Sequence, residues 1–316
     1  MKIFKNIFAV LLTVVLAFGC AGCTEKQGGT QEQPDQEPAR ASDLLTLFYH
    51  TIEKQNGVNP REKVYIVAHR ANTLKAIQEF VPENSLECIQ MAIESGVVDM
   101  IEIDVRPTKD GVLVLMHDAS INRTTNGGNK NVSSITYEEL MKYDMRRDVK
   151  VSKGVKVPTL EQAFELCKGK VFINLDIHGK SVPIGQLAQL IIKHGMIDQV
   201  MIYSNKEELV EYPTIDPNFI IHPYVSNVTG ASQYSSYFGA LLFQYGLDYD
   251  KKSNIGFPAQ MRQAGYLTYT NILNYDSKLR AGDYTPLLTF IQSETDFVQT
   301  DVAELVHDFL DVEGLR

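Results

Sequence analysis

The chain has 316 residues, a formal net charge of −9, 44% hydrophobic residues, 4 cysteines and no tryptophan. The acidic balance argues against a nucleic-acid surface, which needs a basic stripe. Given that balance an anionic substrate must be recognised locally, and cysteine is too sparse for a disulfide-built scaffold.

Residues 1–23 place Lys2 and Lys5 before an apolar run from Ile7 to Phe18, followed by small residues and two cysteines. That is the pattern of a signal peptide, and the run is short for a membrane span. Its Gly-Cys ending resembles a bacterial lipoprotein box, with Cys20 and Cys23 as the alternative lipidation points. The expectation is export and a lipid anchor at the bacterial cell membrane, with membrane contact through the N-terminus only. Residues 24–41 are rich in Gln, Glu, Gly, Pro and Asp. They bury too little to offset their ordering entropy and read as a disordered tether. Residues 42–63 read as an amphipathic helix and a connection, with Leu44, Leu45, Leu47, Phe48 and Ile52 facing the outside or base of the next domain.

From Val64 to Arg316, short apolar strands alternate with helix-period segments. Strands are predicted over Val64 to His69, Met100 to Val105, Val171 to Ile177, Val200 to Tyr203, Phe219 to Tyr224, Ala240 to Gln244, Leu267 to Asn271 and Phe297 to Thr300. Eight strands with helical crossovers over about 250 residues imply an α/β fold, a TIM-type (β/α)8 barrel. Pro82, Asn84 and Glu87 predict a helix start with Asn84 as its cap. Residues 119–157, polar and irregular, are expected to form a small insertion after the second strand, over the barrel mouth. Cys88 and Cys167 lie in apolar helical contexts and read as buried free thiols.

Barrel catalytic groups come from the C-terminal ends of different strands. His69 and Arg70 end the first, Glu102 and Asp104 the second, and Asp176 and His178 the third. Period-two spacing sets Glu102 and Asp104 on one face, where the carboxylates repel unless a cation lies between them. With Asp176 from the next strand they form a hard-oxygen set for one divalent cation, Mg²⁺ or Ca²⁺. Lys109-Asp110-Gly111 reads as a hairpin turn. With Asp110-Gly111 as a two-residue loop, equal counting places Asp104 opposite His117, whereas a three-residue turn would shift the register by one. Two histidines beside a cation suit phosphodiester cleavage, one removing a proton and the other protonating the leaving alkoxide. Arg70 offers a planar fork to the phosphate. His194, His222 and His307 read as satisfied structural histidines.

The succession H-R, P-E-N-S, E-x-D, T-x-D-G, H-D and R-T-T-N-G resembles the glycerophosphodiester phosphodiesterase family. VPTLEQAFELCKG, FINLDIH and VQTD extend the resemblance to about Leu310. It implies His69 and His117 as the acid/base pair, Arg70 as a phosphate contact, and Glu102, Asp104 and Asp176 as metal ligands. The implied reaction is metal-dependent hydrolysis of a glycerophosphodiester to glycerol 3-phosphate and an alcohol. A lysophospholipid or a polyglycerol-phosphate polymer is an alternative substrate, and a surface binding protein with little turnover an alternative role. The sequence departs from the family pattern at Ala71 for glycine, Asp176 for glutamate, His178 for a phosphate-contacting lysine and Asn271 for tryptophan. Lys180 is a candidate to take the place of that lysine.

Overall fold

The structure is a computed structural model, and it describes residues 44–56, 63–204 and 207–316. The leader and tether read from residues 1–41, including Cys20 and Cys23, lie outside the described residues. Among the described residues, eleven strands follow in chain order: β1 Tyr65–Ala68, β2 Met100–Pro107, β3 Leu113–Leu115, β4 Arg146–Arg147, β5 Lys150–Val151, β6 Phe172–Asp176, β7 Val200–Ser204, β8 Ile220–Pro223, β9 Leu242–Gln244, β10 Leu267–Asn271 and β11 Phe297–Thr300. The parallel sheet runs β8-β7-β6-β2-β1-β11-β10-β9. A parallel bridge between Tyr224 and Gln244 joins its two ends, with Val225 N donating to Gln244 O at 2.9 Å. The result is an eight-stranded barrel with helical crossovers, the TIM-type fold expected from the alternation of strands and helices.

Strand alternation divides the apolar residues into two cores. Outward residues such as Ile66, Ile101, Ile103, Ile173 and Ile202 pack with helix residues such as Ile89, Phe164, Ile191 and Val306. Inward residues at the strand starts, Tyr65, Met100, Ile220, Leu242, Leu267 and Phe297, close around Leu44 and Phe48 of the helix Leu44–Asn56. That helix therefore plugs the base of the barrel, opposite the ends that carry the chemistry. Above the plug the interior turns polar, because Asn174 Nδ2 donates to the Tyr269 hydroxyl at 3.3 Å and that hydroxyl donates to Gln299 Oε1. On β2 and β6 the same inward faces present Glu102, level with Asn174, and then Asp104 and Asp176.

β3 pairs with β2 antiparallel, matching Val105 with Leu115, Arg106 with Val114 and Pro107 with Leu113. The turn has three residues between Thr108 and Val112, whose backbone bond is 2.9 Å, and Gly111 has φ +82°. Asp104 consequently lies opposite Met116, whose N donates to Asp104 O at 3.0 Å, and not opposite His117. The two-residue reading fails because Lys109 joins Asp110 and Gly111 in the loop. The helix Leu86–Ser95 is capped by Ser85, which accepts from Cys88 N, and not by Asn84. Asn84 takes φ +57° and spends its amide on Asp104.

Residues 119–157 contain the short helix Tyr137–Leu140 and the β4-β5 hairpin. A separate apolar cluster of Val114, Met116, Ile121, Val132, Ile135, Leu140, Met145 and Val157 supports them. Cys88 and Cys167 are buried free thiols. Among the described residues, no helix is long and apolar enough to cross a membrane.

Candidate active site

The first segment of the site is set by backbone conformation. After β1, Arg70 and Ala71 take φ of +51° and +60°, a region that L-residues seldom adopt. This conformation brings Arg70 N to Glu102 Oε2 at 2.9 Å. The Arg70 guanidinium extends along the carboxylates, with Nη1 2.7 Å from Glu83 Oε1 and Nε 3.5 Å from Asp104 Oδ2. Arg70 Nε makes no hydrogen bond among the described residues.

Both motif histidines carry an aspartate on the same ring nitrogen. His69 Nδ1 lies 2.9 Å from Asp301 Oδ1, and His117 Nδ1 lies 2.7 Å from Asp118 Oδ1. Each dyad fixes ring orientation and leaves Nε2 for proton transfer. Burial opposes charge on His69, but the Asp301 hydrogen bond and the Glu102 charge outweigh it and raise the imidazole pKa above its usual range. Asp301 also accepts from Asn72 Nδ2 at 2.8 Å. His117 does not lie opposite Asp104; burial opposes ionisation of Asp104, but Lys180, then His117 and Arg70, lower its pKa.

Glu102, Asp104 and Asp176 each offer an oxygen, and these atoms all lie within 4.8 Å of one another. Glu102 and Asp104 are 3% and 1% exposed. Burial, then the Asp104 charge, raises the pKa of Glu102, the response of an acidic cluster lacking enough positive charge. Such a buried hard-oxygen set fits a divalent cation. Asp104 accepts from Asn84 Nδ2 at 2.8 Å and pairs with Lys180 Nζ at 3.0 Å, while Asp176 pairs with the same ammonium at 2.7 Å. Lys180 is thus buried over the cluster and not solvated. His178 N donates to Asp176 Oδ1 at 2.7 Å, but its ring Nδ1 is buried without a partner among the described residues.

Three residues outside the sequence reading complete the site. Glu83 accepts from Arg70 and from Arg123, whose Nη2 is 2.6 Å away. Burial opposes ionisation of Glu83, but the two arginines lower its pKa. Arg123 also donates to Asp118 through Nε at 2.6 Å, so one chain of contacts links the His117 dyad to Arg70. Glu83 lies within P-E-N-S, Arg123 within R-T-T-N-G and Asp301 at the end of VQTD, so the motifs held the signal.

His222 requires a correction. It is fully buried between Tyr203 and Tyr269, at ring distances of 5.4 and 4.5 Å, and neither ring nitrogen has a hydrogen-bond partner among the described residues. Burial lowers its pKa to about 3, so it is a neutral barrel histidine, not a satisfied one. His194 pairs with Glu161 at 3.2 Å, and His307 with Asp308 at 3.5 Å.

Asp276 supports Asp301 from below, accepting from Asp301 N at 2.8 Å and from the Thr300 hydroxyl at 2.6 Å. Burial raises its pKa to about 6. A carboxyl raised in this way favours the fold below its ordinary pKa near 4 and loses that contribution as pH rises through 6. Asp276→Asn should therefore gain stability over wild type by on the order of 2–3 kcal/mol between pH 4 and pH 7.5. Urea denaturation at both pH values checks this, and a stability difference independent of pH would contradict it.

The Glycerophosphoryl diester phosphodiesterase family model matches residues 69–200. A putative glycerophosphodiester phosphodiesterase of Bacillus subtilis is 30% identical over 169 residues, which cover 51% of this chain and 67% of that protein. The chain belongs to the glycerophosphodiester phosphodiesterase family. The family's Caldanaerobacter subterraneus member is 37% identical over 135 residues, covering 42% of this chain and 52% of that protein. The match therefore spans about half of that relative's length. A glycerophosphoryl diester phosphodiesterase structure from Parabacteroides distasonis superimposes with a TM-score of 0.70 at 24% identity, covering 83% of this chain and 92% of that one. An Oleispira antarctica phosphodiesterase, solved with the product sn-glycerol-3-phosphate, gives 0.59 at 19% identity, covering 78% and 96%. These two structures share the barrel of this glycerophosphodiester phosphodiesterase family member.

Proposed function

We propose that the protein hydrolyses glycerophosphodiesters to glycerol 3-phosphate and an alcohol. The observation that carries this reading is the convergence, at one end of the barrel, of two histidine–aspartate dyads, a three-carboxylate cluster and Arg70. The product bound to the Oleispira antarctica relative supports the substrate class. Glu102, Asp104 and Asp176 are the residues that would hold one divalent cation, Mg²⁺ or Ca²⁺. When bound it supplies positive charge to the phosphoryl oxygens. Arg70, whose Nε has no hydrogen-bond partner among the described residues, orients the phosphate through its fork of donors. One of His69 and His117 accepts the proton of the attacking water or neighbouring substrate hydroxyl through Nε2, and the other protonates the leaving alkoxide. Where the substrate hydroxyl attacks, water then opens the cyclic phosphodiester to glycerol 3-phosphate. The aspartate on each Nδ1 keeps the imidazole in the orientation that both transfers require.

The leader and its cysteines support the further proposal of an exported enzyme, lipid-anchored through Cys20 or Cys23. That location would also give access to a lysophospholipid or a polyglycerol-phosphate polymer.

The deciding assay follows release of glycerol 3-phosphate from glycerophosphocholine with Mg²⁺, with Ca²⁺ and with chelator. Turnover is expected with one of the ions and loss of at least tenfold on chelation, reversed by adding that ion back. No turnover with any diester or ion would overturn the enzyme reading in favour of a binding protein. Undiminished turnover after exhaustive chelation would remove the cation from it.

A further inference from the structure

The turn after β6 places a cation of the chain's own on the carboxylate cluster. Lys180 N donates to Ile177 O at 3.1 Å, and Gly179 and Ser181 have φ of +66° and +53°. Glycine adopts such a backbone without steric cost, whereas a serine there is held by its surroundings. The chain thus doubles back over the barrel end, and the Lys180 side chain, only 4% exposed, points down onto Asp176 and Asp104. Both Oδ1 atoms face its ammonium, at 2.7 and 3.0 Å. Asp104 Oδ2 already accepts from Asn84 Nδ2 and faces Arg70 Nε. Rotation of Asp104 to present a fresh oxygen is opposed by Asn84, whose Oδ1 also accepts from Asp104 N at 3.2 Å.

We infer that Lys180 is a tethered counter-cation that occupies two of the three ion ligands and must leave them when a divalent cation binds. The inference rests on the reading of Glu102, Asp104 and Asp176 as ion ligands. An ammonium and a divalent ion cannot both sit in direct contact with the same carboxylate oxygens, since their repulsion in a buried site is far larger than in water. Without an ion, Arg70 is paired with Glu83 at 2.7 Å, and Lys180 is the ammonium held between Asp104 and Asp176. A divalent ion added with Lys180 in place would set two cations against the same buried carboxylates. Arg70 is fixed by Glu83 and by its own backbone bond to Glu102, so Lys180 is the group that yields. Ion affinity is therefore set by competition with an internal lysine, and removing that lysine should tighten it.

The test is calorimetric titration of MgCl₂ and CaCl₂ alone, without substrate, into wild type, Lys180→Met, Lys180→Gln and Lys180→Arg, with folding followed by circular dichroism. Lys180→Met and Lys180→Gln are expected to bind the ion at least tenfold more tightly than wild type, and Lys180→Arg to match wild type. If a neutral variant needs the ion to fold, recovery of its circular dichroism at ion concentrations below those that saturate wild type supports the inference equally. Equal affinities in all four proteins would overturn it while leaving the ion site intact. No ion binding in any of them would overturn both the inference and the ligand assignment. Failure of both neutral variants to fold at any ion concentration would also overturn it, because an ion that displaces Lys180 must be able to replace it.

Discussion

His69→Ala and His117→Ala are each expected to lower kcat by about 10²-fold or more with little change in the fold. The expectation follows from the two dyads, since each imidazole is turned by an aspartate on Nδ1. Loss of the general base and loss of the general acid both raise the barrier of the same displacement, so the double variant should fall well short of the product of the two effects. Asp301→Asn keeps the hydrogen-bonding shape but removes the charge that raises the His69 pKa. It should move the pH profile of kcat, a shift that a purely structural role for Asp301 would not produce. Steady-state kinetics on variants shown to be folded by circular dichroism provide the check. Wild-type turnover in either histidine variant would remove that residue from the chemistry.

Asp104→Ala should cost the ion-free fold about 3–5 kcal/mol, because it strands buried cations and not because it removes packing. Asp104 is 1% exposed and faces Lys180, Arg70 and Asn84. Its removal leaves Lys180 with Asp176 as its remaining close carboxylate, and the Asn84 amide without its acceptor. Adding Lys180→Met to Asp104→Ala should recover a substantial part of the loss, whereas independent sites would add. Denaturant unfolding of wild type, both single variants and the double variant closes that cycle. A single-variant cost below about 1 kcal/mol would mean that the two cations are solvated in the folded protein.

The barrel was legible in the sequence because strand alternation and strand-end chemistry are local signals. Glu102 and Asp104 are two apart on one strand, and Asp176 pairs in register with Asp104 on the next, so the acidic cluster follows from period and strand order. The errors came from choices between neighbours. Asn84 and Ser85 can both cap a helix, and the serine does so because the asparagine amide is engaged by Asp104. One extra residue in the Lys109–Gly111 turn shifted the β3 register, a difference too small for residue counting to detect. The supporting contacts were not visible for a different reason. Asp301 is 232 positions from His69, and Arg123 is 40 from Glu83, so only the closed barrel brings them together. His222 was misread because apolar context alone cannot show whether a buried ring nitrogen finds a partner.

The insertion between Ala119 and Val157 rests on an apolar cluster shared with β3, Arg123 and Arg147 fasten it to the mouth, and Arg146 braces it internally. Arg146 grips the carbonyls of Asn122 and Arg123, while Arg147 reaches Val81 and Asn72 on the barrel side. The insertion's packing is thereby separate from the main barrel cluster. Exposed residues between Arg123 and Arg147 can change without touching the buried carboxylates Glu102 and Asp104.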